Sequence, residues 1–262
     1  MSANRAKKSL GQNFLKDHRV LERIAEVLKI EKGDIVVEIG PGHGELTRRV
    51  LKYSPDKLIG IEKDRELVDS FLEDLPGEHP NLQIVQSDIL KEIPKIDYSY
   101  KLVGNIPYYI TGHLLRVLQE APRKPSVIVL TLQKEVANRL CAKPPEMNLL
   151  AASIQFWAKP EIIRYISKKS FRPAPKVDSA VVRITPLDPQ SSMEESQAYY
   201  MFIKSLFKQP RKTVLNNVKP MGFTKDVLEN LGFDPKIRPQ NLCVQDIKKL
   251  CFVYNIPIAD RE

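Results

Sequence analysis

The stretch Ile35-Val36-Val37-Glu38-Ile39-Gly40-Pro41-Gly42-His43-Gly44 limits what this chain can fold into more than any other. A short run of mostly β-branched apolar residues, preceded by Gly33-Asp34 and stopped by Gly40, reads as a strand buried on both faces, as in a parallel sheet. Glycines at alternate positions then call for a turn in which backbone closely approaches a ligand, and Glu45-Leu46-Thr47 opens a helix behind it. Glycine spacing alone is a weak signal. It gains weight from a second strand over 58–62, whose last residue, Glu62, lies 20 positions beyond Gly42, where a carboxylate takes two ribose hydroxyls. A third strand over 82–86 runs into Ser87-Asp88, which sets a further acid at a strand tip, in reach of an adenine amino group. Glu62 and Asp88 can equally be read as ordinary solvated strand ends.

A fourth strand, 100–103, ends in Gly104-Asn105-Ile106-Pro107-Tyr108-Tyr109. Asn105 offers a side-chain carbonyl, Ile106 a main-chain carbonyl next to the non-donating Pro107, and Tyr108 an aromatic face. Together they form a receptor for a flat ring with an exocyclic amine, whose hydrogens two acceptors can hold while the ring stacks. That points to alkylation of a nucleobase nitrogen. The competing reading is a plain turn, because Gly, Asn and Pro are turn formers and the tyrosines can be core. A fifth strand over 127–132 follows, and helices over 45–52, 66–72, 112–119 and 134–140 alternate with the strands. The expected fold is α/β, a doubly wound, mostly parallel sheet with every candidate residue at its carboxyl edge.

Past the fifth strand, 150–157 and 179–185 read as two more strands around a basic loop, 164–176. Phe171-Arg172-Pro173-Ala174-Pro175-Lys176 is stiffened by its prolines, so Phe171 is expected at the crevice mouth as a second stacking face, against the alternative that it packs in the core. A linker at 186–192 separates helical periodicity over 194–207, 211–218, 224–231 and 244–254. The expected domains are therefore 1–187, including a basic arm and a helix over 18–28, and a small all-α domain over 193–262. Arg211 and Lys212 at the start of a helix suit phosphate contacts; simple surface charge is the other reading.

The net charge of +9 is unevenly spread: residues 1–30 carry +4 and 134–183 carry +6, whereas 31–133 carry −3 and 184–262 carry +2. Two basic segments flanking an acidic middle fit a polyanion footprint beside a nucleotide-like site. Cys141, Cys243 and Cys251 are far apart and have no histidine at ligand spacing, so no metal site is expected. No apolar run nears the ~18 residues of a membrane span, and the N-terminus has no export signal, which together predict a cytoplasmic protein. No paired His and acid or activated Ser or Cys announces covalent catalysis.

Gln12-Asn13-Phe14-Leu15, the 38–47 glycine turn, Ile61-Glu62-Lys63-Asp64, Ser87-Asp88-Ile89-Leu90, the 104–110 stretch, Gln133-Lys134-Glu135-Val136 and the 171–179 segment occur in the order and spacing of the ribosomal RNA adenine N6,N6-dimethyltransferases. The resemblance spans roughly residues 8–255. It implies a Rossmann-like methyltransferase domain, with S-adenosylmethionine bound by Asn13, Leu15, Gly40, Glu62, Asp88 and Asn105. It further implies a flipped adenine taken by Asn105, Ile106, Pro107 and Tyr108, with the methyl group passing directly and in line to N6. Leu10-Gly11-Gln12, 207–213 and 238–242 most resemble the bacterial small-subunit type. That implies dimethylation of two adjacent adenines in the 3′-terminal hairpin loop of 16S rRNA, within an immature small subunit, by a monomer. Lys7, Lys8, Arg172, Lys176, Arg211 and Lys212 are then expected on the RNA. Pro210 departs from that type, which usually has an arginine there. The alternatives are a 23S rRNA methyltransferase conferring macrolide resistance and a non-catalytic, RNA-binding assembly factor.

Overall fold

The computed structural model describes residues 7, 11–72, 75–188 and 192–255. In chain order its strands are β1 (Phe14–Leu15), β2 (Ile35–Ile39), β3 (Lys57–Glu62), β4 (Leu82–Gln86), β5 (Lys101–Asn105), β6 (Ile128–Gln133), β7 (Ala158–Ile166), β8 (Phe171–Arg172) and β9 (Ser179–Pro186). Seven of them form one sheet in the order β4-β3-β2-β5-β6-β9-β7, and β1 pairs with β8 in a separate ribbon. The four pairings from β4 across to β6 are parallel, and β9 runs antiparallel to β6. From β2 the chain winds outward through β3 and β4, then returns to lay β5 on the other side of β2. The crevice outside the carboxyl ends of β2 and β5 is therefore the topological switch point, where such sheets bind ligands.

The strands are apolar on both faces, as a sheet covered by helices requires: Val36, Val37, Leu58, Leu102, Val103, Val129 and Leu130 are all buried. The helix His18–Val27 starts where Asp17 accepts the amides of Arg19 and Val20, and its Val20, Leu21 and Ile24 join the core. Between β2 and β5 the backbones pack tightly. A Cβ on Gly104 would lie 2.8 Å from the Ile39 Cβ and 3.0 Å from the Ile39 carbonyl oxygen.

Two compact units emerge, Met1–Ala137 with Pro160–Pro186, and Asn138–Lys159 with Leu187–Glu262. Residues 138–159, placed by sequence in the first domain, thus group with the second unit. The strand expected over 150–157 is instead a helix, Leu149–Gln155, because Asn148 caps it by accepting the amides of Leu150 and Ala151, and Ala151-Ala152 favours helix. In the same unit Phe156 stacks on Tyr199 with ring centroids 4.0 Å apart, and the Tyr199 hydroxyl donates to the Ala152 carbonyl. Tyr199 belongs to the helix Met193–Leu206, which opens on a capping box between Ser192 and Glu195.

Gly104→Ala should destabilise the protein by about 1–3 kcal/mol, because neither Ile39 contact belongs to a flexible side-chain end. Urea denaturation should show a lower midpoint at unchanged slope. A parental midpoint would mean that β2 and β5 can separate freely.

Candidate active site

Residues from the tips of β2 to β5 and from the arm line one crevice of about 290 Å³. Gly40 and Gly42 both have φ of +62°, a left-handed backbone that suits glycine. A Cβ on Gly40 would have a single neighbour within 4 Å, Glu62 Oε2 at 3.8 Å; a Cβ on Gly42 would press on the Phe14 ring at 3.1 Å.

Glu62, the last residue of β3, is only 6% exposed. Its Oε2 accepts the Gly42 amide at 3.1 Å and its Oε1 the Asp64 amide at 2.9 Å. Burial drives its carboxyl above the usual range, and these backbone donors work in the opposite direction. Asp64 in turn accepts Gln12 Nε2 and Lys7 Nζ, each at 2.8 Å. Burial opposes its ionised form, but the hydrogen bonds from Lys7 and Gln12 outweigh it and hold the carboxyl below its ordinary value. At the tip of β4, Asp88 caps the following helix through Leu90 N and accepts Lys63 Nζ at 2.8 Å. There too burial opposes the charge, and Lys63 more than offsets it.

Asn105 ends β5, paired with Thr131 of β6. Its amide nitrogen donates to the Asn13 carbonyl at 2.8 Å. With Nδ2 so engaged, Oδ1 is the end left to accept a proton from another group. The Ile106 side chain is buried, Tyr108 is half-buried, and Tyr109 is 63% exposed along the same crevice. The arm lies against these residues: Phe14 packs on His43 with ring centroids 4.1 Å apart, and Lys16 N donates to the Ser170 carbonyl.

Asn13, Leu15, Gly40, Glu62, Asp88 and residues 105–108 therefore meet in one place. Phe171 does not. It is 1% exposed, lies opposite Leu15 in the β1–β8 ribbon and belongs to the core cluster with Leu21 and Val181. Strand alternation turns Arg172 outward and Phe171 inward, where burial of its ring outweighs any use as a stacking face. Lys7 is committed to Asp64 at 2.8 Å and Glu66 at 3.0 Å instead of standing free for RNA, and Lys8 lies outside the described residues. Lys176 is exposed, as are Arg211 and Lys212. The last two precede their helix rather than open it: Thr213 caps Val214–Val218, and Asn217 ties the turn through Gln209. Sequence reasoning missed Gln12 and Asp64 as the fastening of the arm. Their signal was present, a polar residue and an acid within two of the quoted motifs, but no spacing rule joins them.

This is the sheet and crevice of a Rossmann-like methyltransferase. Solved structures of similar fold include a dimethyladenosine transferase from Plasmodium falciparum, 27% identical with a TM-score of 0.77 over 92% of this chain and 97% of that one. Another is the 23S rRNA methyltransferase ErmE, 25% identical with a TM-score of 0.76 over 92% and 98%. Residues 3–252 match the family model described as ribosomal RNA adenine dimethylase, and the chain belongs to that family. Similar relatives named ribosomal RNA small subunit methyltransferase A come from Dehalococcoides mccartyi strain CBDB1, 38% identical over 95% of this chain and 89% of that protein, and from Clostridium botulinum strain Langeland, 37% identical over 93% and 92%. Among the described residues no helix is long and apolar enough to cross a membrane, and no group of three or more His, Cys, Asp or Glu is placed to hold a metal ion.

The cofactor of this class is S-adenosylmethionine, and the crevice residues fit it. The open side of Gly40 borders a buried carboxylate, and Glu38 Oε2, also lining the crevice, is buried with no hydrogen-bond partner. The Glu38 carboxyl is pushed up to about 8, first by burial and further by the charge of Glu62, against the Thr47 hydroxyl, which works in the opposite direction.

Two predictions follow from this geometry. Phe171→Ala should lose about 3–5 kcal/mol of folding stability by emptying a core position. Denaturation would measure it, and a full-stability variant with impaired RNA binding would restore Phe171 as a stacking face. The folded-state pKa of Glu38 lies above its unfolded value of 4.5, so its stabilising contribution is complete below about pH 4.5 and fades as pH rises toward about 8. Glu38→Gln, which cannot ionise, should lose less stability than the parent across that window. Stability profiles that run parallel would mean that Glu38 does not titrate there.

Proposed function

We propose that the protein dimethylates N6 of two adjacent adenines in the 3′-terminal hairpin loop of 16S rRNA. It would act as a monomer in the cytoplasm on an immature small subunit. The observation that carries the chemistry is the Asn105 amide, oriented by the Asn13 carbonyl at 2.8 Å so that Oδ1 serves as an acceptor. Relatives at 37–38% identity carry the small-subunit name, against 25% for the 23S enzyme, which supports this substrate over the large-subunit one.

S-adenosylmethionine, when bound, supplies an electrophilic methyl group. The roles proposed for this chain are binding and orientation. Glu62 takes the ribose hydroxyls, Asp88 the cofactor's adenine amine, and Gly40, Asn13 and Leu15 line its path. Asn105 Oδ1 and the Ile106 carbonyl each accept one hydrogen of the target amine, which keeps the nitrogen lone pair out of the ring and aimed at the methyl group. Pro107 leaves no competing amide donor beside that carbonyl, and Tyr108 holds the base by stacking. Because Asn105 is neutral, it adds no fixed charge that would favour the sulfonium ground state over the transition state. After one transfer N6 releases one proton to solvent and a single N–H remains for one acceptor to hold, so the same geometry serves a second round. Arg172, Lys176, Arg211 and Lys212, exposed and basic, are assigned to phosphate contacts.

The substrate is tested by incubating the protein with labelled S-adenosylmethionine and each immature subunit, then mapping the modified bases. Label on small-subunit adenines is expected; label on the large-subunit RNA would overturn the assignment. Asn105→Ala should slow single-turnover methyl transfer by about 10²-fold or more while RNA affinity, spread over many phosphates, changes little. Asn105→Asp should also be impaired, since its carboxylate would face the Asn13 carbonyl that now receives an N–H. An Asn105→Ala rate equal to the parent would reduce residues 104–109 to a turn.

A further inference from the structure

Ser179 is the first residue of β9 and is fully buried opposite Gln133, the last residue of β6. Its neighbour Asp178 fastens the same corner twice. The Asp178 carbonyl accepts Lys134 N at 2.9 Å, and its Oδ1 accepts Lys168 N at 3.0 Å. This post belongs to the seven-stranded sheet, and the Tyr108 hydroxyl lies 2.7 Å from Ser179 Oγ.

Tyr108 itself sits beyond the end of β5, in the single turn Tyr108–Ile110 that follows Pro107. A ring attached only through its own Cα can change tilt by rotating about two side-chain torsions. Tied at the hydroxyl as well, it is held at both ends. We infer that Ser179 is a positioning residue for methyl transfer: by bonding the Tyr108 hydroxyl, it sets the plane against which the target adenine is held. This inference rests on the reading of Tyr108 as the stacking face given above. Burial raises the Tyr108 phenol above its ordinary value, with the Ser179 bond opposing that shift, so the hydroxyl is protonated and able to make the bond at neutral pH.

The test compares single-turnover methyl transfer at saturating RNA for Ser179→Ala, Tyr108→Phe, the double variant, Ser179→Thr and Tyr108→Ala. Calorimetry of S-adenosylmethionine binding accompanies each. Ser179→Ala and Tyr108→Phe remove the same hydrogen bond from opposite ends. Each should lower the rate about 3- to 10-fold, the worth of one such bond, and the double variant should lose no more than either alone. Ser179→Thr, which keeps the hydroxyl, should recover most of the rate, and cofactor affinity should stay at the parental level throughout. Losses that multiply in the double variant would overturn the inference. So would a parental rate in Tyr108→Phe, which also decides the matter if Ser179→Ala fails to fold. A parental rate in Tyr108→Ala would instead overturn the stacking role itself.

Discussion

A carboxylate removed from water has to be matched by donors, and the way Glu62 is matched organises the crevice. Sitting 6% exposed at the end of β3, it accepts one amide from the glycine turn after β2 and one from the loop that follows it. Two loops from neighbouring strands are thereby drawn to one side chain. The next link is Asp64, whose own carboxylate gathers Gln12 and Lys7, so that the arm is tied to the same point. Removing Glu62 would leave the Gly42 amide with no partner at the turn whose shape brings backbone to the ligand.

At the tip of β5 the groups are neutral. Asn105, Tyr108 and Ser179 are joined by hydrogen bonds to the arm or to each other, without an ion pair among them. A neutral wall suits a reaction between an uncharged amine and a cationic donor, where a fixed negative charge would stabilise the reactants more than the transition state. Charge is placed on the side of Glu62, Asp64 and Asp88 and on the exposed Arg172 and Lys176.

Burial separates the two aromatic residues. Phe171 and Tyr108 both look like stacking faces in the sequence, yet Phe171 lies beneath the arm and Tyr108 stays in the crevice. Their difference arises from pairing: the β1–β8 ribbon sets Phe171 opposite Leu15, on the side that faces the core. Tyr108 follows a proline in a turn, where no ladder dictates its direction.

The sequence by itself determined the parallel part of the sheet, β2 to β6, and the residues at its strand tips. Those features rest on local physics, namely the length and apolarity of 35–39, 58–62, 82–86 and 100–103, the glycines after the first of them, and the acid or amide at or just past the end of the other three. The helices over 193–206 and 244–255 were legible for the same reason, as periodic patterns with caps nearby. The tertiary structure alone decided what depended on partners far away in the chain. Leu149–Gln155, capped locally by Asn148, was grouped with Tyr199, 44 positions beyond its last residue. Lys7 was drawn to an acid 57 positions away, and the Tyr108 hydroxyl to a serine 71 positions away. Neither propensity nor periodicity encodes such a meeting, since it exists only once the sheet has brought distant strand ends to a common edge.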